Sequence, residues 1–298
     1  MIKSITITNY VGDSITIDPA NPYSSGLAIT DMTGLATLDA TINASEVATN
    51  DGTVYNSARV QPRDITITLK PLWTENKSIE ENRRLIYKYF PIKKPLTLTI
   101  ATDDRTVQIT GYVENTDTTI FSNFETGQVS LYCPDPYFED IYTDTLLFSG
   151  IVSNFEFPFG GSDTETPNTE NSLELSQIRN DTIREITYDG DIETGMEISI
   201  HAIGDVSDIV IYNLSTNESM GIKGDLQALD DIVICTIRNK KTARLLRHGV
   251  YTNILNKLSK DSDWFELQKG NNIIAYTAEK GQENLQFSIK TKVLYEGI

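Results

Sequence analysis

Ile65-Thr66-Ile67-Thr68-Leu69 alternates apolar and polar residues at period two. Leu96-Thr97-Leu98-Thr99-Ile100, Val107-Gln108-Ile109-Thr110 and Gln128-Val129-Ser130-Leu131-Tyr132 repeat the pattern. Successive side chains of a strand point to opposite faces, so each run offers one apolar face to a core and one hydroxyl-rich face to solvent. β-branched residues at that spacing fit a pleated, half-buried surface. Four such runs in the first 140 residues predict an antiparallel sheet.

One segment between these runs has a different period. Ser78-Ile79-Glu80-Glu81 offers a capping box, in which the Ser78 hydroxyl and the Glu81 carboxylate each take an orphan amide at a helix start. Leu85, Ile86, Tyr89 and Phe90 then form one apolar stripe, and Pro91 ends the helix. Arg83, Arg84 and Lys88 fall on the opposite face, which is expected to be solvated. Residues 41–58, rich in Asn, Asp and Gly, read as a protruding hairpin or arm. Cys133-Pro134-Asp135-Pro136-Tyr137 then breaks the alternation with two prolines, which marks a domain boundary near residue 140.

Beyond the boundary, residues 162–172 are almost wholly Asp, Glu, Thr, Asn and Pro, the composition of a flexible loop. Strand signals resume at 183–188, 196–203, 209–212, 231–237, 243–247, 264–267, 273–278 and 286–293. Turn pairs such as Asp189-Gly190, His248-Gly249 and Gly270-Asn271 separate them. Short strands at that spacing predict an antiparallel β-sandwich. The expected fold is thus mainly β: an N-terminal domain, residues 1–140, with one short helix, and a C-terminal sandwich, residues 141–298.

Charge narrows the function. The net charge is −17, with 11 Lys+Arg against 18 Asp+Glu up to residue 140 and 14 against 24 beyond it. A protein that grips DNA or an anionic bilayer draws affinity from clustered Lys and Arg, so neither half is expected to bind nucleic acid or membrane. The start, Met1-Ile2-Lys3-Ser4-Ile5-Thr6, alternates and lacks the apolar run of a secretory signal, so synthesis in a cytoplasm is expected. Cys133 and Cys235 stand too far apart for a zinc pattern and are expected to be reduced and buried.

Candidate chemistry is sparse. His201 and His248 are the two histidines, one in a strand signal and one before a turn glycine, with no nucleophile elbow near either. Neighbouring acids at Glu80-Glu81, Asp103-Asp104 and Asp230-Asp231 would point to opposite faces or cap a helix, which does not suit a paired-carboxylate mechanism. Asp189, Asp191 and Glu193 have calcium-loop spacing, but Thr194 replaces the turn glycine and Ile200 the bidentate Glu. No catalytic residue, metal ligand or cofactor site is expected. Trp264, Tyr251 and Tyr276 are the candidate glycan contacts, as aromatic rings that could stack on sugar.

Several stretches resemble a known family. They are Gly52 to Leu69, including Gln61-Pro62-Arg63-Asp64; Glu81 to Lys93; Gly111-Tyr112-Val113-Glu114; and Cys133-Pro134-Asp135-Pro136-Tyr137-Phe138. In that order they are similar to the siphophage tail-component family, in particular the distal tail proteins of phages and prophages of Gram-positive hosts. Tyr188 to Thr194 and Asp263 to Asn272 resemble, more loosely, the family's galectin-like or carbohydrate-module-like C-terminal sandwich; Asp230-Asp231 departs from it where a Gly-Asp turn is more typical. The resemblance implies a structural, non-enzymatic protein of the virion tail tip. Its first domain would form a homo-oligomeric ring, hexameric and single or stacked, as the hub between tail tube and tip. Its sandwich would carry the tail-associated tip protein or the receptor-binding protein. An acidic ring lumen would repel the phosphates of passing DNA. The alternative is a carbohydrate-binding adhesion module that holds a cell-wall glycan through the second domain.

Overall fold

The computed structural model describes residues 1–46, 48, 51–119, 125–153 and 176–298. The expected loop at 162–172 lies outside them. The chain forms two compact units, Met1–Tyr142 with Val293–Ile298, and Thr143–Lys292. The architecture is mainly β, and its sheets are antiparallel.

The first unit contains β1 (Ile2–Thr8), β2 (Ser14–Ile17), β3 (Leu27–Thr33), β4 (Ala40–Glu46), β5 (Thr53–Val60), β6 (Arg63–Pro71), α1 (Ile79–Tyr89), β7 (Pro95–Thr102), β8 (Thr106–Thr119), β9 (Thr126–Cys133) and β10 (Phe138–Asp140). The main sheet runs β2-β1-β7-β8-β9-β6-β3, with β10 added against β8. Its edge strands β2 and β3 approach each other, so the sheet wraps around one core. The alternating runs do what their period requires: Ile65, Ile67, Leu69, Leu96, Leu98, Ile100, Val129 and Leu131 are all buried, with threonines between them on the other face.

Helix α1 closes that core. The Glu81 amide donates to Ser78 Oγ at 3.2 Å, and the Ser78 amide donates to Glu81 Oε2 at 2.7 Å, completing the capping box. Ile86 and Phe90 are buried in the core, with Leu85 and Tyr89 packed beside them. The stripe extends one turn further back than its apolar residues: Asn82 is fully buried and donates to the Leu72 carbonyl at 2.7 Å. Arg83 is not on a solvated face. It is mostly buried and pairs with Glu125 at 2.9 Å, because the residue just before β9 supplies a carboxylate that the helix sequence does not reveal.

β4 and β5 form a separate two-stranded ribbon, the expected arm, exposed along nearly its whole length.

The chain leaves this unit after β10 and returns to it at residue 293. Leu294–Tyr295 pairs with β10, so Tyr295 lies opposite Phe138. The last six residues therefore belong with the first unit, although the strand signal at 286–293 ran them on with the second domain. Arg63, only 3% exposed, ties the exit and the return together. Its Nε donates to the Pro136 carbonyl at 2.7 Å, its Nη1 to the carbonyls of Gly34 at 2.5 Å and Ala36 at 2.7 Å, and its Nη2 to that of Glu296. The guanidinium lies 4.6 Å from the centre of the Phe138 ring. Burial lowers its pKa from the ordinary guanidinium value, yet arginine stays charged in proteins and keeps all its donors. Arg105 repeats the device at the end of the chain, donating to the Gly297 carbonyl at 3.0 Å and lying 4.1 Å from the Tyr295 ring centre.

The second unit contains β11 (Asp144–Leu147), β12 (Ser149–Ser153), β13 (Ser176–Asn180), β14 (Ile183–Tyr188), β15 (Glu197–Ala202), β16 (Val206–Asn213), β17 (Glu218–Leu226), β18 (Asp231–Cys235), β19 (Thr242–Arg247), β20 (Val250–Asn253), β21 (Gly270–Lys280) and β22 (Leu285–Thr291). They form a six-stranded sheet β11-β22-β15-β18-β19-β20, a four-stranded sheet β14-β21-β16-β17 and the ribbon β12-β13. Aromatic rings join the two larger sheets. Tyr276 of β21 stacks on Phe287 of β22 at 4.9 Å, and Phe148 meets both edge-on at 5.8 and 4.8 Å. The His248-Gly249 turn links β19 and β20 with both residues at positive φ, 50° and 77°, which matches the twist of a two-residue hairpin. Trp264 to Leu267 is not a strand; it carries a single bridge, Thr194 to Leu267, within an irregular segment.

Replacing Arg63 by Met should strand four carbonyls and cost about 3–5 kcal/mol, the range for removing one partner of a buried charged network. Arg63→Lys should recover little, since an ammonium cannot reach four acceptors in a fork. Hydrogen exchange at the amides of β6, β9 and β10 would register the loss, and unchanged protection there would contradict the assigned role.

Candidate functional site

The second unit has a concavity of about 330 Å³ on the outer face of its six-stranded sheet. Strand period decides which side chains reach it. Ile198, Ile200 and Ala202 of β15 turn into the core, so Ser199 and His201 turn out. Ile232 and Ile234 of β18 turn in, so Asp231 and Val233 turn out. Leu285, Phe287 and Ile289 of β22 turn in, leaving Gln286 and Ser288 outward.

Register then lines these residues up across the sheet. Gln286 lies opposite His201, His201 opposite Asp231, Asp231 opposite Leu246, and Leu246 opposite Tyr251. The adjacent row runs Leu147, Ser288, Ser199, Val233 and Arg244. An amide, an imidazole, a carboxylate, an aliphatic chain and a phenol thus stand side by side at the spacing of neighbouring strands, about 4.8 Å. His201 Nδ1 and Asp231 Oδ1 are 2.6 Å apart, with both side chains about a third exposed. Among the described residues no hydroxyl makes a hydrogen bond to the His201 ring. The arrangement can therefore hold a polar ligand, but it lacks the aligned nucleophile that a His–Asp pair would need for acyl transfer.

Asp230, the neighbour of Asp231, faces the other way and has a different task. It is 2% exposed, and Arg247 grips it from Nε at 2.9 Å and Nη2 at 2.5 Å. Its carboxylate also accepts the Gln227 amide at 2.7 Å and so closes the turn before β18. Leu229 adopts φ 71° in that turn. A fixed carboxylate serves here where a Gly-Asp pair would have relied on glycine's freedom.

The three aromatic residues singled out from sequence are not brought together. Tyr251 is 64% exposed and lines the concavity. Trp264 is half-buried outside it, with Lys241 Nζ 5.8 Å from its ring centre. Tyr276 is buried in the aromatic core and cannot stack on a sugar. Of the residues that do line the concavity, His201 and Asp231 are weighed from sequence only for catalysis, and Gln286, Ser199 and Ser288 carry no signal there. Their outward facing was legible in the alternation, but the register that makes them neighbours is a property of strand pairing.

Cys133 is buried among apolar residues, and desolvation pushes its thiol up to about 12, whereas Cys235 is half-buried on the outer side of β18, at variance with the expectation that both are buried. Asp191 pairs with Lys269 at 3.4 Å, and no cluster that could hold a metal ion occurs among the described residues. No helix of the described residues is long and apolar enough to cross a membrane.

Comparison with known proteins bears on the same unit. Residues 189–291 match the family described as siphovirus-type tail component, C-terminal domain. This is the family that the ordered motifs of the first half resemble, and the match falls in the half where that resemblance was looser. Among solved structures, that of SPP1 Dit, described as a paradigm of the hub adsorption apparatus in Gram-positive infecting phages, is similar over 97% of this chain and 98% of its own, with a TM-score of 0.65 and 11% identity. At that identity the likeness is one of fold. The phage P2 baseplate in its activated conformation with Ca has a chain similar over 98% of this one and 99% of its own, at 15% identity and a TM-score of 0.49. No curated protein sequence matches the chain.

The Asp230–Arg247 pair makes a pH prediction. Hydrogen bonds from Arg247, then from the Gln227 amide, hold Asp230 below the ordinary carboxylate value against the opposing effect of burial. An unfolded Asp, at about 3.9, takes up a proton that the folded one refuses. The pair's contribution should therefore be complete above that value and be lost as pH falls through the lower, folded one. Arg247→Ala should cost about 2–3 kcal/mol at neutral pH, less than for a fully buried pair because the arginine is partly exposed. Denaturant melts of wild type and Asp230→Asn between neutral and acid pH would reveal it; parallel pH profiles would contradict the assignment.

Proposed function

We propose that this chain is a structural component of the distal tail of a long-tailed phage, a hub that closes a ring of its own copies between the tail tube and the tip apparatus. The observation that carries the reading is the likeness of fold to SPP1 Dit over nearly the whole of both chains, together with the family match in the second unit. The role is geometric and needs no catalytic residue. The protein would be made in the host cytoplasm and reside in the virion tail. The second unit would serve as platform for a tail-associated tip protein or a receptor-binding protein.

The β4–β5 ribbon supports a ring. A two-stranded ribbon is marginal in water by itself. This one nevertheless exposes Ile42 at 65%, Val54 at 55% and Tyr55 at 63%, and its outer edges leave backbone groups unpaired. A neighbouring copy that covers the ribbon would remove both costs. Head-to-tail contacts of this kind close into rings when the rotation per subunit divides a full turn, and six copies is the number the resemblance implies.

Light scattering coupled to size exclusion, with negative-stain imaging of the full chain, tests the reading. A ring is expected for the wild type. The double variant Ile42→Asp with Tyr55→Asp should be monomeric while its circular dichroism and melting stay close to wild type, since both residues lie outside the core. A wild type that remains monomeric at high concentration would overturn the ring, and a ring that survives the double variant would overturn the ribbon's part in it.

A further inference from the structure

We infer that the free edge of β20 takes up an extended acidic segment of another polypeptide as an added strand. The inference rests on the reading of the second unit as a platform, and names the place and the chemistry of the docking. Residues 232–260 hold seven Lys and Arg and no Asp or Glu, on a chain whose net charge is −17. The acidic balance of the whole half hides this run. Two of its cations are engaged, Arg247 by Asp230 and Arg238 by Glu266 at 3.8 Å. Lys240, Lys241, Arg244, Lys257 and Lys260 are exposed and form no ion pair among the described residues. Pairing gathers most of these along one edge. Arg244 stands on the outer side of β19 opposite Asn253 of β20, and Lys240 and Lys241 lie in the turn just before β19. The Ile254 amide donates to the Ala243 carbonyl at 3.0 Å, which brings the turn Leu255–Lys257 to the same end of β19.

The edge itself is open. β20 is the outer strand of its sheet, its four residues are all exposed, and no strand among the described residues pairs with its far side. Antiparallel strands bond through alternate residues. The two-residue turn makes Arg247 and Val250 a bonded pair, and with it Leu245 and Thr252, so the backbone N–H and C=O of Tyr251 and Asn253 point away from β19. Proteins ordinarily blunt such an edge with a Lys or Pro within the strand, or with a bulge. Val250-Tyr251-Thr252-Asn253 has neither residue, and its pairing with β19 runs without a register shift. The cations stand beside the strand instead, where they attract an acidic segment and leave the edge free. Val250 and Tyr251, each 64% exposed, offer apolar contact on opposite faces of an added strand. Main-chain bonds would supply the affinity and the basic flank the selection. A phosphodiester polymer could meet the same cations, but it has no N–H for the Tyr251 and Asn253 carbonyls, and a polypeptide has.

The test follows fluorescence anisotropy of labelled octapeptides titrated with the full chain, one alternating Asp and Glu with Val, the other alternating Lys with Val. Binding of the acidic peptide in the micromolar range is expected, weaker at high salt, with none of the Lys peptide. Hydrogen exchange of the wild type should show added protection confined to β20, which reads the site without any variant. Lys240→Glu, Lys241→Glu and Arg244→Glu together should weaken binding about tenfold or more. Tyr251→Pro removes one outward N–H and no ladder bond, so it should weaken binding similarly, whereas Tyr251→Ala keeps that N–H and most of the affinity. All these positions are exposed, and melts close to wild type would verify the fold. Equal binding of the Lys peptide, protection elsewhere than β20, or full affinity of Tyr251→Pro would overturn the proposal. Inorganic polyphosphate that binds more tightly than the peptide, and equally to wild type and Tyr251→Pro, would overturn the assignment of a polypeptide. A smaller mass of Tyr251→Pro in light scattering would make a second copy the occupant and overturn it likewise. Peptide binding by a wild type that forms no ring, or a ring that binds no peptide, separates this inference from the hub.

Discussion

The first unit must hold two ends of chain that do not follow one another, because the second unit is inserted between them. A guanidinium is suited to this constraint. Its donors spread in one plane, and Arg63 uses them on carbonyls from the loop after β3, the approach to β10 and the returning terminus. None of those carbonyls lies where a sheet neighbour could take it, and a buried carbonyl without a donor is costly. The cation in turn gains an aromatic face, Phe138, in place of water. Two of the stretches that carry the family resemblance, Gln61-Pro62-Arg63-Asp64 and Cys133-Pro134-Asp135-Pro136-Tyr137-Phe138, thereby meet at a single point. Their spacing in sequence has no meaning until the first unit folds.

What could be read in advance followed the range of the forces involved. Strand period, the Ser78–Glu81 box and the His248-Gly249 turn are set by interactions within a few residues, and each appears where its local chemistry puts it. Features that depend on distant partners did not show. Arg83 looked solvated because Glu125 is 42 residues away. Trp264-Phe265 looked like a strand because both are aromatic, yet only Phe265 enters the core and the segment around it stays irregular. Tyr276 looked available to a ligand because its exposure depends on Phe148 and Phe287. The return of residues 293–298 to the first unit could not be read at all, since two residues of pairing carry no period.

Asp230 and Asp231 show how one strand entry serves two purposes. The period of two sends adjacent carboxylates to opposite sides, so the same dipeptide fixes a turn on the inner side and meets His201 on the outer. The pinned carboxylate holds the start of β18, and with it the position of Asp231 in the transverse row. Strength and display are thereby separated: Asp230 is buried and bidentate, whereas Asp231 is open and contributes little to stability as a surface pair.

The two units treat their exposed surface differently. In the second, the outer row mixes hydrogen-bonding groups with aliphatic ones in a concavity. In the first, Ile42, Val54 and Tyr55 stand on a ribbon with no core beneath them. Hydrophobic side chains on an unsupported ribbon gain nothing within their own chain, and an acidic protein otherwise keeps apart from its copies by charge repulsion. Apolar surface concentrated on the ribbon would, in the proposed ring, offset that repulsion where two copies meet. In the proposed ring, contact through such an arm would be directional, the arm of one copy meeting a different surface on the next, as a closed ring requires.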